Sequence, residues 1–185
     1  GSWLSTLLPG PFDRGLRVER RVLGWFRTTE SSPPHADGPV FAREEDDGTL
    51  WYGFPSMDGR TVKIGVHAEA PGARRSGAQW GEPVDPVVGP REPDAADAAR
   101  LGELTAALRG VESVPERMVS CMYTMTPDEH FIIGTHRDLP GLVVAGGFSG
   151  HGYKFASAVG AALADLAVEG STALPIGMFD PHRPF

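Results

Sequence analysis

A chain of 185 residues, 41% hydrophobic and 22% charged, has room for one domain, or for one domain and a piece of another. Its net charge of −7 repels nucleic acid and acidic membrane surfaces, and no apolar run reaches the length of a membrane span. The single cysteine excludes an internal disulfide and a cysteine-built zinc site, which suits a reducing compartment.

In chain order, Gly1-Ser2-Trp3-Leu4 carries neither an initiator Met nor a signal-peptide charge pattern. It reads as the end of a strand turning into a short helix from Trp3 to Leu8, stopped by Pro9-Gly10-Pro11. Leu16 to Thr29 alternates β-favouring residues and predicts a strand pair or one long strand. A Pro/Ser/Asp/Gly loop, Glu30 to Pro39, follows. Val40 to Arg43 and Thr49 to Phe54 then flank Asp47-Gly48, a hairpin signal. Thr61 to Ala68 is a further strand, and its period of two puts Lys63 and His67 on one face and Val62, Ile64 and Val66 on the other. The polar face is either the solvated side of a sheet or a floor that offers a cation and an imidazole to a ligand.

Pro71 to Pro93 is a long Gly/Pro/charge loop. Asp94 to Leu108 predicts a helix with an apolar stripe of Leu101, Leu104, Ala107 and Leu108, and Gly110 marks the stop. Met118 to Thr126 alternates as a strand with Cys121 and Tyr123 on one face. Pro127-Asp128-Glu129-His130 is a turn whose side chains diverge too far for a metal cluster, and Phe131-Ile132-Ile133 begins another short strand. Leu142 to Ala145 reads as a strand buried on both faces. It passes through Gly146-Gly147-Phe148-Ser149-Gly150-His151-Gly152 into a helix with a packed face of Phe155, Val159, Ala162, Leu163 and Leu166, ended by Gly170. The glycines allow close approach to the backbone, and the free N–H groups of a helix start favour negative charge. Lys154, in that first turn, is unfavourable for the helix itself and hints at a ligand. By residue type, the stretch from Ser120 to Gly170 suggests an anionic group held at a helix N-terminus beside a thiol.

Several runs together carry a resemblance. They are Trp51-Tyr52-Gly53-Phe54-Pro55, Val62-Lys63-Ile64-Gly65-Val66-His67, the segment from Cys121 to Ile133, and Gly147-Phe148-Ser149-Gly150-His151-Gly152-Tyr153-Lys154-Phe155. With the tail around Phe179 and Arg183-Pro184, the chain resembles the C-terminal part of the monomeric sarcosine oxidase and N-methyltryptophan oxidase family, FAD-dependent amine oxidases of the D-amino-acid oxidase superfamily. The fold this implies is α+β: a mixed or antiparallel substrate-domain sheet with packing helices, plus the last strand-loop-helix of a Rossmann-like FAD domain. Residues 1–13 would close an FAD-domain segment, 14–118 form the substrate domain, 119–141 the flavin-attachment segment, and 142–185 the end of the FAD domain.

The resemblance also implies roles. Cys121 matches the cysteine bonded to the flavin 8α-methyl, so FAD would be covalent. Lys63 matches the lysine that helps oxygen react. His67, Tyr52 and Tyr123 match residues lining the substrate pocket, and Lys154 matches the cation for the substrate carboxylate. The loop Gly147, Phe148, Ser149, Gly150, His151, Gly152 would meet the flavin's pyrimidine edge. The implied reaction is oxidation of sarcosine or a related secondary amino acid, with hydride passing to flavin and O2 giving H2O2. The family's dinucleotide-binding N-terminus is absent here, and Gly134 stands where relatives usually have an acidic residue. The expected partners are a small secondary amine and O2, with no nucleic acid or membrane, in a monomeric cytoplasmic enzyme. The rival readings are a non-catalytic module that needs a partner FAD domain, and an N-methyltryptophan, pipecolate or glycine oxidase-like specificity.

Overall fold

The computed structural model describes residues 1–8, 12, 15–29, 38–69 and 81–184. Pro9-Gly10-Pro11, most of the loop after Thr29, and the loop from Ala70 to Trp80 lie outside the described residues. The chain divides into two units. One comprises Gly1–Glu19, Asp85–Val88 and Tyr123–Phe185, and the other Arg20–Val84 and Gly89–Met122.

The sheet of the second unit is built from β1 (Arg17–Thr28), β2 (Phe41–Glu44), β3 (Leu50–Phe54), β4 (Thr61–Ala68) and β5 (Val111–Met125), in the order β2-β3-β4-β1-β5. The β2–β3, β3–β4 and β1–β4 pairs are antiparallel. The Asp47-Gly48 signal becomes the β2–β3 hairpin, with Gly48 at φ 83° as the turn requires. Alternation sends Val22, Phe26, Trp51, Val62, Ile64 and Val66 to one face, where Leu101 and Leu104 of α2 (Ala95–Leu104) complete the core. Fully burying such side chains contributes about 1.5–3 kcal/mol each.

Helix α2 starts where the sequence places it. Asp94 accepts from the backbone N–H groups of Ala96 and Asp97, and the Asp97 side chain returns the bond to Asp94, closing a capping box. Its α-helical part stops at Leu104 and tightens into a 3-10 turn, Thr105–Ala107, as the Thr105 hydroxyl donates to the Gly102 carbonyl at 2.7 Å. The helix predicted to reach Leu108 is therefore shorter. Strand β5 is longer than predicted and starts at Val111, with Pro115 inside it. Among the described residues it is the last strand of the sheet, the kind of position in which a proline is tolerated.

The first unit holds α1 (Leu4–Leu7), an antiparallel pair of β6 (Ile132–Thr135) and β7 (Val143–Gly146), and α3 (Ala156–Glu169). Its core is Phe12, Ile132 and Val144, packed by Leu4, Leu8, Leu16 and Leu142. Strand β7 alternates buried and half-buried residues instead of being buried on both faces, and among the described residues it pairs with β6. Helix α3 is also less packed than its sequence predicts. Ala162 alone is buried, Val159, Leu163 and Leu166 are half-buried, and Val168 is 77% exposed.

Candidate functional site

The face of the second unit's sheet turned away from α2 is polar and aromatic, and strand register sets its layout. Lys63 is the cross-strand partner of Trp25 on β1 and of Phe54 on β3, while Tyr52 stands opposite Gly65. A Cβ on Gly65 would come within 2.8 Å of the Tyr52 ring and of Leu23, so the glycine gives Tyr52 room to lie across β4. Tyr52 also meets Phe54 edge to face at 6.0 Å between ring centres. Two residues either side of Gly65, Lys63 and His67 share that face, as their spacing predicts. The Lys63 ammonium lies 4.6 Å from the centre of the Phe54 ring and 5.6 Å from that of Trp25. Beside it, a cleft of about 280 Å³ is walled by Trp25, Phe54, Pro55 and Met57.

Cys121 sits half-buried on β5, two turns of the pleat beyond Arg117, whose guanidinium lies 4.7 Å from the Trp25 ring centre. Alternation therefore gives Cys121 and Arg117 the same face as Trp25. Burial pushes the Cys121 thiol above its ordinary range, and the positive charges of Arg21 and Lys63 pull the other way. Arg21 is 6% exposed. Its Nε donates to the His67 carbonyl at 3.3 Å and its Nη1 to the Arg20 carbonyl at 3.0 Å, which fixes the guanidinium among β1 and β4 backbone.

In the first unit, the loop between β7 and α3 holds three residues with positive φ: Gly147 at 57°, Ser149 at 47° and Gly150 at 78°. For Ser149, which has a Cβ, that conformation costs about 1–3 kcal/mol. A network holds it there. The Ser149 N–H donates to the Thr124 carbonyl at 3.0 Å and its hydroxyl to the Gly147 carbonyl at 3.2 Å, while the Thr126 N–H donates to the same hydroxyl at 3.2 Å. Ser149 is buried. Gly150 lies against the Tyr123 ring so closely that a Cβ there would overlap it. Under the loop, Phe131 gathers Phe148, His151, Phe155 and Phe179 at 4.8–5.5 Å between ring centres.

Lys154 is not in the first turn of the α-helix. It lies in a 3-10 turn, Tyr153–Phe155, ahead of α3, where its ammonium donates to the His151 carbonyl at 2.9 Å and lies 5.0 Å from the Phe155 ring centre. A lysine in the α-helix itself would oppose the dipole, and the extra turn moves it outside. Helix α3 then opens without a side-chain cap or an acidic residue in its first turn. The Pro127–His130 turn is held by Arg183, whose Nε and Nη2 grip the Asp128 carboxylate at 2.8 and 3.0 Å and whose Nη1 donates to the Phe131 carbonyl at 2.8 Å. Among the described residues no group of His, Cys, Asp and Glu could hold a metal ion, and no helix is long and apolar enough to cross a membrane. At Gly134 a Cβ would come within 2.7 Å of Pro181 Cδ, so the ring of Pro181 fills the space an acidic side chain would need.

The structure thus sets Tyr52, Lys63, His67 and Cys121 on one face of the second unit, and Tyr123, Lys154 and the loop from Gly147 to Gly152 in the first. Sequence reading missed Arg21, Trp25 and Phe54 as members of the polar face. The signal was present in β1, where the same period of two links Arg21, Leu23 and Trp25. A second signal lay in the cations: of 17 basic residues only Lys63 and Lys154 are lysines. An ammonium is a compact point charge that a guanidinium does not replace.

A family model described as "FAD dependent oxidoreductase" matches residues 1–166. Monomeric sarcosine oxidase of Bacillus sp. (strain NS-129) is 37% identical over 99% of this chain and 46% of its own length. N-methyl-L-tryptophan oxidase of Citrobacter koseri is 30% identical, again over 99% of this chain and 46% of its own. Among solved structures, NikD, an unusual amino acid oxidase essential for nikkomycin biosynthesis, superimposes with a TM-score of 0.69 at 27% identity, covering 90% of this chain and 42% of that one. The chain belongs to the FAD-dependent oxidoreductase family. It spans about half the length of the curated relatives it matches.

Proposed function

We propose that this chain is the amine-binding and flavin-attaching part of an FAD-dependent oxidase of sarcosine or a related secondary amino acid, with FAD held covalently through Cys121. The observation that carries the reading is the sheet face on which Tyr52, Lys63, His67 and Cys121 stand together with Arg21 nearby. The donor set fits the cofactor: a half-buried thiol offers a nucleophilic sulfur, and two cations around it match a ring system that gains negative charge. FAD, when bound, would take two electrons from the amine and pass them to dioxygen, giving hydrogen peroxide.

The chain's own residues would do the rest. Cys121 would hold the cofactor through its sulfur, with the charges of Arg21 and Lys63 pulling towards the thiolate against the burial that raises the thiol. Tyr52 and His67 wall the amine and restrict its orientation. Lys63 offers an ammonium to the anion that forms as oxygen is reduced. In the first unit, Lys154 presents an ammonium for a carboxylate, and the strained loop from Gly147 to Gly152 leads to a helix start without a side-chain cap, which favours negative charge. The exposed apolar side of α3 fits burial against further protein, which suits an adenosine-binding half beyond this chain. A reducing cytoplasm suits the unpaired thiol.

The test is amine-dependent hydrogen peroxide release by the native protein across sarcosine, N-methyltryptophan, pipecolate, proline and glycine. Turnover with a secondary amino acid, lost in His67→Ala and slowed in oxygen dependence by Lys63→Met, supports the reading. Absence of turnover with every member of the panel overturns it.

A further inference from the structure

Resting on the oxidase reading above, we infer that Trp25 and Phe54 are positioning residues for Lys63, gripping its ammonium between two aromatic rings so that it faces the site with its charge unneutralised. Three observations converge. Register makes Trp25 and Phe54 the direct partners of Lys63 on its two neighbouring strands, where cross-strand side chains meet most closely. The ammonium lies 4.6 Å from the Phe54 ring centre and 5.6 Å from that of Trp25, both within cation–π range. Among the described residues, no carboxylate pairs with Lys63.

The nearest acid in the adjoining cleft is already committed. Asp58 accepts from the N–H groups of Arg60 and Thr61 at 2.9 and 2.7 Å, and from the hydroxyls of Thr61 and Ser56 at 2.7 and 3.2 Å. Those bonds hold its carboxyl well below the usual range, so it stays an acceptor of its own loop.

The distinction matters chemically. A carboxylate partner would cancel the lysine charge and occupy its N–H donors. Ring faces attract the cation while leaving the charge and donors open to a small anion. A lysine stem without either partner would be free to wander into the cleft, and the clamp restricts it. Of the two rings, Phe54 is the nearer, and Trp25 is shared with Arg117 at 4.7 Å. Phe54 therefore fixes Lys63 more than Trp25 does.

The experiment uses native protein and two readouts. The first is NMR of protein labelled at the lysine ε-carbons, with the Lys63 signal assigned through Lys63→Arg. Ring currents should move the Lys63 ε-protons upfield of their position in the unfolded chain, and Phe54→Leu should return them most of the way. The second is steady-state kinetics. Phe54→Leu should lower kcat/KM for dioxygen about three- to thirtyfold, the range a lost cation–π contact spans. The same variant should lower kcat/KM for the amine less than that for dioxygen, since Tyr52 loses one edge-to-face contact while Lys63 loses its nearer ring. Phe54→Tyr, which keeps a ring face, should retain both the NMR shift and the oxygen dependence. An unshifted Lys63 signal in an active native protein overturns the clamp, as does a Phe54→Leu variant that lowers both kinetic constants equally. A ring-shifted Lys63 in a protein without amine-dependent oxygen uptake overturns the oxidase reading and leaves the aromatic clamp standing.

Discussion

Asp97→Asn is a sharp test of how the second unit is held together. Arg20 and Asp97 are both fully buried, and the guanidinium meets the carboxylate with Nη1 to Oδ1 at 3.0 Å and Nη2 to Oδ2 at 2.6 Å. The same Oδ2 accepts from Arg91 at 3.2 Å and from the Asp94 N–H at 3.0 Å. Replacing the carboxylate by an amide strands a buried cation and weakens the capping box. Breaking a buried pair by removing one partner costs about 3–5 kcal/mol. Arg20 keeps the carbonyls of Arg91 and Glu92 at 3.1 and 3.4 Å, which places the loss near the lower end, about 3 kcal/mol. Denaturant unfolding of the native protein, followed by tryptophan fluorescence, should show a lower midpoint with an unchanged slope. The double variant Arg20→Met/Asp97→Leu should recover most of the loss, because an apolar pair avoids the desolvation cost. The reasoning fails if Asp97→Asn is as stable as the parent, or if the double variant is worse than the single.

The pH dependence of the same pair has a definite sign. Burial raises the Asp97 carboxyl, but the hydrogen bonds from Arg20 and Asp94 and the nearby charges lower it further, so the net shift is downward. Its stabilisation is therefore complete above the ordinary carboxyl value of about 4 and is lost as pH falls through the folded value. Unfolding at pH 3 should show a smaller gap between parent and Asp97→Asn than at pH 7. For Cys121, whose thiol is pushed up by burial, alkylation of flavin-free protein should be slow at neutral pH and still rising at pH 9, and Lys63→Met should slow it further. A plateau near neutrality would contradict that placement. Gly65→Ala puts a methyl within 2.8 Å of Tyr52 and Leu23, so it should raise KM for the amine several-fold while the protein still folds; unchanged KM would remove Tyr52 from the amine wall. Gly150→Ala combines φ 78° with overlap of the Tyr123 ring and should cost more than about 1 kcal/mol in the same denaturant assay.

Periodicity made the core and half of the candidate site legible before the fold was known. In β4 it separated Lys63 and His67 from Val62, Ile64 and Val66, and the sheet keeps that separation. What periodicity does not carry is register. That Trp25 and Phe54 flank Lys63 depends on how three strands align, and nothing within any one strand states it. The length of β5 escaped for a related reason: Pro115 argues against a strand unless that strand is known to be an edge. The strain at Ser149 was hidden because serine gives no local sign of a left-handed backbone; the network through Thr124, Thr126 and Gly147 imposes it. For α3, apolar periodicity gave the helix correctly and overstated its packing, since a pattern names an apolar face but not what covers it.

The central claim is covalent flavin at Cys121. Intact-mass measurement of the native protein after denaturation tests it most directly. The account predicts a mass greater than the polypeptide by one FAD less two hydrogens, and no such addition in Cys121→Ser. A denatured native protein at bare polypeptide mass, with its yellow colour released or missing, would contradict it.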